Sequence, residues 1–576
     1  MKNCEKRWIT GLALLAVLFS CGQKEIVPEP TKEPDTNVLT GITVTPEKAS
    51  LKAGETLQLS VAPVPAGTAL PEILWSSTRS SVVTVDDKGL VTGVAEGSAS
   101  IRAQTADKKF SQYCVFTVTA SSGNPGTPTP TPTSEDTRVF EDSGATLPDY
   151  PTYNAVGKLS DFPRVDIDAP VENIQRLAEG EYTWVEGTVT FKDPAKMYSD
   201  VTELGKLKMR IRGRGNTSWN AEGGIKHSYK IKLEEHNKVF GMKGDKDWLL
   251  LADVQDPTML RNAIALRTAR MVSMPWTPKY RTVEVYFKGQ YGGCYLLTEA
   301  KEVDRENKIP ITVVADGKTD GGYLLELDNK QDFDRYFESA YFLRKIKFKD
   351  PEEPEEAQQQ YITGYVNEVE RLLSTQSFDP ESGYRSMMNV DTFINNYIVQ
   401  ELSMNVDGGM RLSTYFAKDS DTKLFMPMVW DFDLAFGNAS YIGTDFDLPW
   451  YGDHNNGPEG WFIKIRGGDF RHGDVQGKTE TYYQFLFKDP TFVQELKARW
   501  NEVKPRLDKI PAFMDKMKEY NHLAYDHNVS GGMNPRASGW YSYPPDSFAS
   551  WEEAVEWLKD WYIRRLAWLD QNINAL

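Results

Sequence analysis

The chain has 576 residues, of which 40% are hydrophobic and 12% aromatic, and its formal net charge is -16 at pH 7. That much apolar material suits more than one core and excludes a disordered chain. The acidic balance, with a pI near 5.1, argues against nucleic acid as the main partner, because binding a phosphate backbone requires a basic face.

Lys2, Lys6 and Arg7 precede an apolar stretch from about Trp8 to Phe19, too short to span a bilayer and patterned as a secretion signal. The run Leu18-Phe19-Ser20-Cys21 resembles a bacterial lipoprotein signal. The resemblance implies a signal peptide at 1–21 with Cys21 lipidated as the first mature residue, and a multi-chain anchor would hold the protein on a membrane. The expected location is the bacterial cell envelope, on the outer membrane, facing the periplasm or the surface. Nothing later has the roughly 18 uninterrupted apolar residues of a transmembrane helix. With Cys4 leaving in the leader and Cys21 lipidated, Cys114 and Cys294 remain in different candidate domains, so no disulfide framework is expected.

Residues 22–37 are rich in Pro, Glu and Thr and read as an extended tether. From 38 to 120, short alternating segments such as "TLQLSVAP", "VVTVDDKGLVTGV" and "YCVFTVTA" are divided by turn residues, the pattern of a small antiparallel β-sandwich. The string "GITVTPEKASLKAGETLQLSVAPVPA" with "WSSTRSSVVTVDDKGLVTGVAEGSASI" resembles a bacterial Ig-like domain of group 2, which implies a spacer or adhesive module. Residues 121–138 carry Pro-Thr repeats that favour a stiff polyproline II linker. The remainder, 139–576, reads as one α+β domain, strand-rich to about Leu327 and helix-rich after Glu355. The predicted fold class is thus multidomain, an all-β sandwich followed by an α+β domain.

In "GKLKMRIRGRGNTSWN", Lys206, Lys208, Arg210, Arg212 and Arg214 occupy every second position, so a strand would carry five cations on one face. Such a face could hold an anion or be a solvated surface offset by the acidic surplus. In "YKIKL", Lys230 and Lys232 again share a strand face. Asp256 is a plausible N-cap with Pro257 in the first turn of a helix running to Arg270, and a hairpin then turns at Lys288 to Gln290, with Glu299 ending its second strand.

Between Asp391 and Asn438, Phe393, Ile394, Tyr397, Ile398 and Leu402 trace a helical stripe, and Gly408-Gly409 is expected to end that helix. A hairpin, "MRLSTYFAKD" then "KLFMPMVW", would carry Asp431 and Asp433 back towards Asp407. Helix, aspartate loop, hairpin and aspartate is the order in which protein kinases present a catalytic aspartate and a metal ligand. Carboxylates set in the apolar run "MVWDFDLAFGN" imply a cation, a metal or a dense hydrogen-bond network. No G-x-S-x-G, H-E-x-x-H, Walker A or paired C-x-x-C motif occurs. His522 and His527, in a segment read as a loop, are expected to be structural or solvent-facing. Ser550 and Glu553 form a capping box ahead of Val555, Leu558, Tyr562, Leu566 and Leu569 at helical spacing, a core-packed terminal helix.

The stretches "RGRGNTSW", "YKIKL", "FGMKGDKDWLLLADVQDPTMLRN", "YGGCYLLTE", "NVDGGMRLSTYFAKD" and "MVWDFDLAFGN" resemble the spore coat protein H (CotH) family of atypical protein kinases. The resemblance implies an atypical-protein-kinase-like fold for 139–576, with ATP and Mg²⁺ or Mn²⁺ as cofactors and phosphoryl transfer to protein. It implies Asp407 as catalytic residue, Asp431 as metal ligand, and Lys232 or Lys230 as the contact to nucleotide phosphates under the turn that holds Arg212, Arg214 and Asn216; beside these, Asp433 is expected to support Asp431 as second metal ligand or as a hydrogen-bonding acid, Arg411 to supply charge, and Glu299, by position, to be the partner acid of the nucleotide lysine. The asparagine that kinases place after the catalytic aspartate is absent from the run Gly408 to Thr414. A second reading is a non-catalytic surface protein that binds glycan or protein, with Leu448 to Phe462 as its recognition loop.

Overall fold

The computed structural model describes residues 39–77, 82–94, 97–107, 109–119, 157–177, 181–198, 202–215, 217–219, 226–328, 335–439, 457–464, 481–533 and 548–576. Cys21 and the signal peptide, the tether, the 121–138 linker, Asn216 and most of the 448–462 loop lie outside the described residues. The chain divides into two compact units, Met1–Thr127 and Pro128–Leu576.

Among the described residues of the first unit the regular elements are all strands: β1 (Gly41–Thr45), β2 (Lys48–Lys52), β3 (Thr56–Gln58), β4 (Ser60–Val64), β5 (Ile73–Ser77), β6 (Val83–Val85), β7 (Leu90–Gly93), β8 (Gly97–Thr105) and β9 (Ser111–Thr119). They form sheets ordered β2-β9-β8-β5, β3-β7-β6 and β1-β4. The two-residue period decides which side chains go in. Along β9, Cys114, Phe116 and Val118 are buried while Tyr113 and Val115 face water. Ile101, Ala103, Val83 and Val91 complete the core.

The second unit opens with β10 (Arg164–Asp168), β11 (Val185–Lys192), β12 (Glu203–Gly213), β13 (Tyr229–Asn237) and β14 (Asp245–Leu251). Helix α1 (Arg261–Met271) follows, then the hairpin β15 (Tyr280–Phe287) and β16 (Gln290–Glu299). These seven strands close into a barrel in the order β10-β11-β12-β13-β14-β16-β15, the parallel pairing of β10 with β15 sealing it. Closure follows from the same alternation: Met209 and Ile211, Ile231 and Leu233, Trp248 and Leu250, and Val283 and Val285 fill the interior.

Next come β17 (Tyr323–Leu327), β18 (Tyr336–Glu338), β19 (Lys345–Asp350), α2 (Glu356–Ser374), α3 (Val390–Ser403) and β20 (Thr414–Lys418). The four strands pair antiparallel in the order β18-β19-β17-β20. Helices α4 (Tyr482–Leu486), α5 (Pro490–Leu507), α6 (Ile510–Ser530) and α7 (Trp551–Ala575) finish the chain. Helix α3 is buried on nearly every side and belongs to the largest apolar cluster, with faces of α1, α5 and α7 around it.

Four local expectations change. Helix α1 begins at Arg261 rather than after Asp256, because residues 253–260 turn first, and Asp256 reaches across to accept the Arg261 amide at 2.8 Å. Helix α3 ends at Met404, whose φ of 47° turns the chain before Gly408 is reached. The second arm of the expected hairpin, 423–430, pairs with β20 only at the Ala417–Phe425 bridge. Its other backbone groups go elsewhere: the Met426 amide donates to Thr392 Oγ1 and the Pro427 carbonyl accepts from Trp276. His522 and His527 stand in α6 rather than in a loop, and His527 contacts Glu284 at 2.6 Å. Ser550 caps α7 as expected, its hydroxyl accepting from the Glu553 amide at 3.2 Å, but the Glu553 carboxylate accepts from the Ala549 amide rather than from that of Ser550, so the reciprocal half of the box is not made.

Candidate functional site: an aspartate cluster beside two half-buried cations

Beyond the left-handed turn at Met404, fully buried Asn405 joins two loops. Its Oδ1 accepts from the Asp407 amide at 3.3 Å, and its Nδ2 donates to the Asp431 carbonyl at 3.1 Å. Asp407 is further held by Arg411, whose Nη1 donates to Asp407 Oδ1 at 2.6 Å and to the Val406 carbonyl at 3.2 Å. The Leu412 amide donates to the Asp407 carbonyl at 2.7 Å, which closes a tight turn. Glycine is required in that turn for packing: a Cβ at Gly408 would lie 2.1 Å from Gln400 Oε1, and Gly409 has φ 65° with Ile463 against it.

Asp431 departs from the strand geometry expected of it. Its φ is 70°, so it and Asp433 do not alternate on one strand face, and residues 433–438 turn instead. Trp430 and Phe432 are buried, but the Asp431 carboxylate between them is exposed. The apolar run is therefore a frame that holds a carboxylate at a surface, not one that encloses it. Ser413 Oγ donates to Asp431 Oδ2 at 3.2 Å. From α1, Asn262 accepts the Phe432 amide at 2.9 Å and donates to Asp253 Oδ1 at 2.8 Å, drawing a further acid to the cluster.

These contacts gather Asp253, Asp256, Asp407, Asp431 and Asp433. Burial pushes the Asp433 carboxyl well above the usual carboxylate range, and the charges of Asp431, Asp407, Asp253 and Asp256 push it further. Asp253 is raised to about 7 by burial and then by Asp256. Asp256 is offset by the guanidinium of Arg261, with both side chains buried, and Asp407 by Arg411. Among the described residues no cation pairs with Asp433.

The sequence reading did not single out a second group beside this cluster. Lys301, just past β16, donates to the Tyr415 hydroxyl, which in turn donates to Glu326. Its ammonium lies 4.7 Å from the Tyr415 ring centre and 4.8 Å from that of Trp430. Burial lowers Lys301 to about 8, against the opposing pull of Glu326. Burial would raise Glu326, but Lys301 and Lys349 hold it below its ordinary value. Arg214 stands 5.6 Å over the same Trp430 ring, lowered by burial and opposed chiefly by Asp431. A lysine at the end of the apolar strand "CYLLTEAK" was the available signal for Lys301, and "NVD" contained Asn405.

The other expected nucleotide contacts separate. Lys230 and Lys232 both reach Asp247 on the neighbouring strand β14, at 2.7 and 3.4 Å. Burial works against the Asp247 carboxylate, and the two lysines more than offset it. Arg212 donates to Glu181 at 2.8 Å and lies over Trp184 at 5.3 Å. Glu299 is buried and accepts from the Lys279 amide at 2.8 Å, so its contacts are not with Lys230 or Lys232. Of the basic face on β12, Arg214 alone comes to the aspartates, because it lies past the strand end where the chain turns.

No group of three or more metal-ligating His, Cys, Asp or Glu occurs among the described residues. The donor set suits a cation of another kind: Asp433 is a cation-poor, crowded carboxyl beside an exposed Asp431. A hard divalent ion such as Mg²⁺ is commonly held by one or two carboxylates, with water and substrate phosphate completing its shell. The pair fits that role.

The family model described as CotH kinase protein matches residues 210–569, and that of the bacterial Ig-like domain (group 2) matches residues 38–116. Among curated proteins, the chain is 42% identical over 111 residues to a lacto-N-biosidase of Bifidobacterium bifidum. It is 39% identical over 98 residues to a 3-O-alpha-D-galactosyl-alpha-L-arabinofuranosidase of Bifidobacterium longum subsp. longum. These matches concern the Ig-like part, covering 18% and 15% of this chain and only 9% of the length of each relative. An uncharacterized protein of Bacillus cereus is 30% identical over 104 residues, 17% of this chain and 79% of that protein. The solved surface layer protein SbsC, domains 1-6, is similar with 16% identity and a TM-score of 0.13 over 37% of this chain and 22% of that one, too low to carry an argument. The kinase-family match spans more than half of the chain, which therefore belongs to the CotH kinase family.

Proposed function

We propose that this member of the CotH kinase family is an envelope lipoprotein whose second unit has a kinase-like fold and transfers a phosphoryl group from ATP to a protein acceptor. The observation that carries the reading is the link through Asn405, which ties the Asp407 loop to Asp431. Asp407 orients the acceptor hydroxyl and takes its proton as the acceptor oxygen bonds to the γ-phosphorus and the bond to the ADP oxygen breaks. Arg411 fixes the direction of the Asp407 carboxylate. Asp431 and Asp433 are the residues to hold Mg²⁺ or Mn²⁺, which would supply positive charge for the phosphate oxygens. With no asparagine following Asp407, one ion is assigned rather than two.

Lipidation at Cys21 would place the protein on the envelope membrane, with the Ig-like unit as spacer or adhesive module. A second reading, a binding protein on a catalytically silent kinase scaffold, is favoured by one observation: Arg411 already engages the Asp407 carboxylate. Within its proposed recognition loop, the described part is packed, with Phe462 buried and Trp461 against Trp568 at 5.1 Å.

The test is transfer of label from γ-labelled ATP, with Mg²⁺ or Mn²⁺, to the protein itself and to a generic acceptor. Asp407→Ala and Asp431→Ala should each lower transfer by about 100-fold or more, the scale of removing an acid–base or charge-stabilising group. Transfer that survives both substitutions would refute the assignment; no transfer and no nucleotide binding would favour the binding protein.

A further inference from the structure

In the first unit, the sheet ordered β2-β9-β8-β5 has one face on that unit's core and one face away from it. The period of two that buries Leu51, Ile101, Cys114 and Phe116 turns Lys48 and Lys52 of β2, Tyr113 and Val115 of β9, Arg102 of β8 and Leu74 of β5 to the outer face. Tyr113, Val115 and Leu74 are 47, 42 and 44% exposed there. Register sets Tyr113 opposite Arg102, Arg102 opposite Ser76, and Val115 beside Lys48. The Arg102 guanidinium lies 5.9 Å from the Tyr113 ring centre. In a chain of net charge -16, none of these four strands contains an Asp or Glu, and their three cations, Lys48, Lys52 and Arg102, all stand on this face. Among the described residues none of the three makes an ion pair, and the Arg102 Nε, shielded from water, has no hydrogen-bond partner.

A face with cations and no acids attracts an anionic partner, and an arginine fork matches a carboxylate through two parallel hydrogen bonds. A second copy docking by the same face would set three cations against three, which is repulsive. A protein partner requires a contiguous apolar centre. Here β8 sets Arg102 and Gln104 between Leu74 and Tyr113, and Lys48 flanks Val115, so the apolar groups are divided by polar ones. That division suits a sugar, whose ring is apolar on its C–H face and hydroxylated at its edge. Tyr113 offers the flat ring, Ser76 and Gln104 offer donors and acceptors beside it, and a uronic acid adds the carboxylate for Arg102.

We propose that the outer face of β2-β9-β8-β5 docks a polysaccharide rich in uronic acid. A sugar ring stacks on Tyr113, its carboxylate is held by Arg102, and Lys48 and Lys52 attract further carboxylates of the same polymer. The inference rests on the adhesive reading of the Ig-like unit, to which it gives a ligand class, and stands apart from the phosphotransfer reading of the second unit.

The test is binding of the full chain to immobilised polygalacturonate, alginate and hyaluronate, with methyl-esterified polygalacturonate, dextran and polyglutamate as counter-probes. At least one of the three uronate polymers should bind, more weakly at high salt, while dextran does not. Arg102→Gln should weaken that binding by about 10-fold or more, as expected for a lost charged hydrogen bond, and Tyr113→Ala by about 3-fold or more. Lys88→Gln, in the turn between β6 and β7, removes the same charge off this face and should change affinity by less than about 2-fold. Circular dichroism and the melting temperature check that each variant folds, and if Arg102→Gln does not, Arg102→Lys and Tyr113→Ala carry the test. Binding of a uronate that neither the Arg102 variants nor Tyr113→Ala alters would keep an adhesive protein but overturn this face as its site. Polyglutamate bound as tightly as the uronates, with no effect of Tyr113→Ala, would overturn the sugar in favour of any polyanion. If none of the three uronates binds the wild type, the inference is overturned, and labelled ATP still decides the reading of the second unit.

Discussion

The two units of the chain handle charge in opposite ways. Among the described residues of the first, no Asp, Glu, Lys or Arg is buried, and Ile101, Phe116, Val83 and Val91 make a core that is apolar throughout. The second buries Asp253, Asp256, Arg261, Glu370, Glu401, Arg411 and Arg565 among others. Burial of an ion must be offset by a partner. Where the partner is protein, as in Arg565 with Glu401 or Arg261 with Asp256, the charge serves the fold. Where it is missing, as at Asp433 and Lys301, a ligand is the natural complement. Among its described residues the first unit has no buried place of that kind; the second concentrates such places around Trp430.

The most severe way to disturb this contrast is Arg565→Met. Arg565 donates to the Glu401 carbonyl and carboxylate and to the carbonyls of Pro458 and Gly460, tying α7 to α3 and to residues 457–464. Its loss strands a buried carboxylate and should destabilise the second unit by about 3–5 kcal/mol. In urea unfolding the transition of the second unit should shift, while that of the Ig-like unit stays where it is. The converse substitution, Ile101→Ala, should cost about 2–5 kcal/mol through cavity formation and move only the first unit's transition. If both substitutions moved both transitions, the two units would not be energetically separate.

Ligand binding sharpens the contrast further. Mg²⁺-ADP at about 100 times its Kd should stabilise the second unit by about 2.7 kcal/mol, raising its melting temperature and leaving that of the first unit unchanged. In Asp433→Asn that rise should shrink or vanish. The ligand-free protein should not be destabilised by the change, since it removes a crowded carboxyl.

The smallest effect concerns pH. Glu370 is raised to about 7 by burial, and accepts from the Phe342 amide and the Tyr482 hydroxyl. A carboxyl whose folded pKa lies above its unfolded one contributes fully below the unfolded value and loses that contribution as pH rises through the folded value. Between pH 5 and pH 8 the second unit should therefore lose on the order of 2 kcal/mol from this group. Glu370→Gln should flatten that dependence in urea midpoints measured at the two pH values.

Much of this molecule was legible before its structure was considered. Alternation at single-residue resolution marked β9, β12 and β13, because a strand sorts its side chains by a local period of two. The helical stripe from Phe393 to Leu402 and the N-cap at Ser550 were legible for the same reason, since both depend on neighbours a few residues away. The order of helix, Asp407 loop and Asp431 named Asp407, Asp431 and Asp433 of the candidate cluster, but not Asp253 or Asp256. Only the tertiary structure decided which cations meet them. Lys230 and Lys232 look like ligand contacts along one strand until β14 brings Asp247 beside them, and Lys301 looks ordinary until Tyr415, Glu326 and Trp430 surround it. Local pattern fixes which side of its own strand or helix a side chain faces, whereas burial and charge partners depend on segments tens to hundreds of residues apart. The left-handed backbone of Asp431 belongs to the second kind: Asn405 and Asn262 hold its loop from two separate helical regions, and no spacing within "MVWDFDLAFGN" could have announced them.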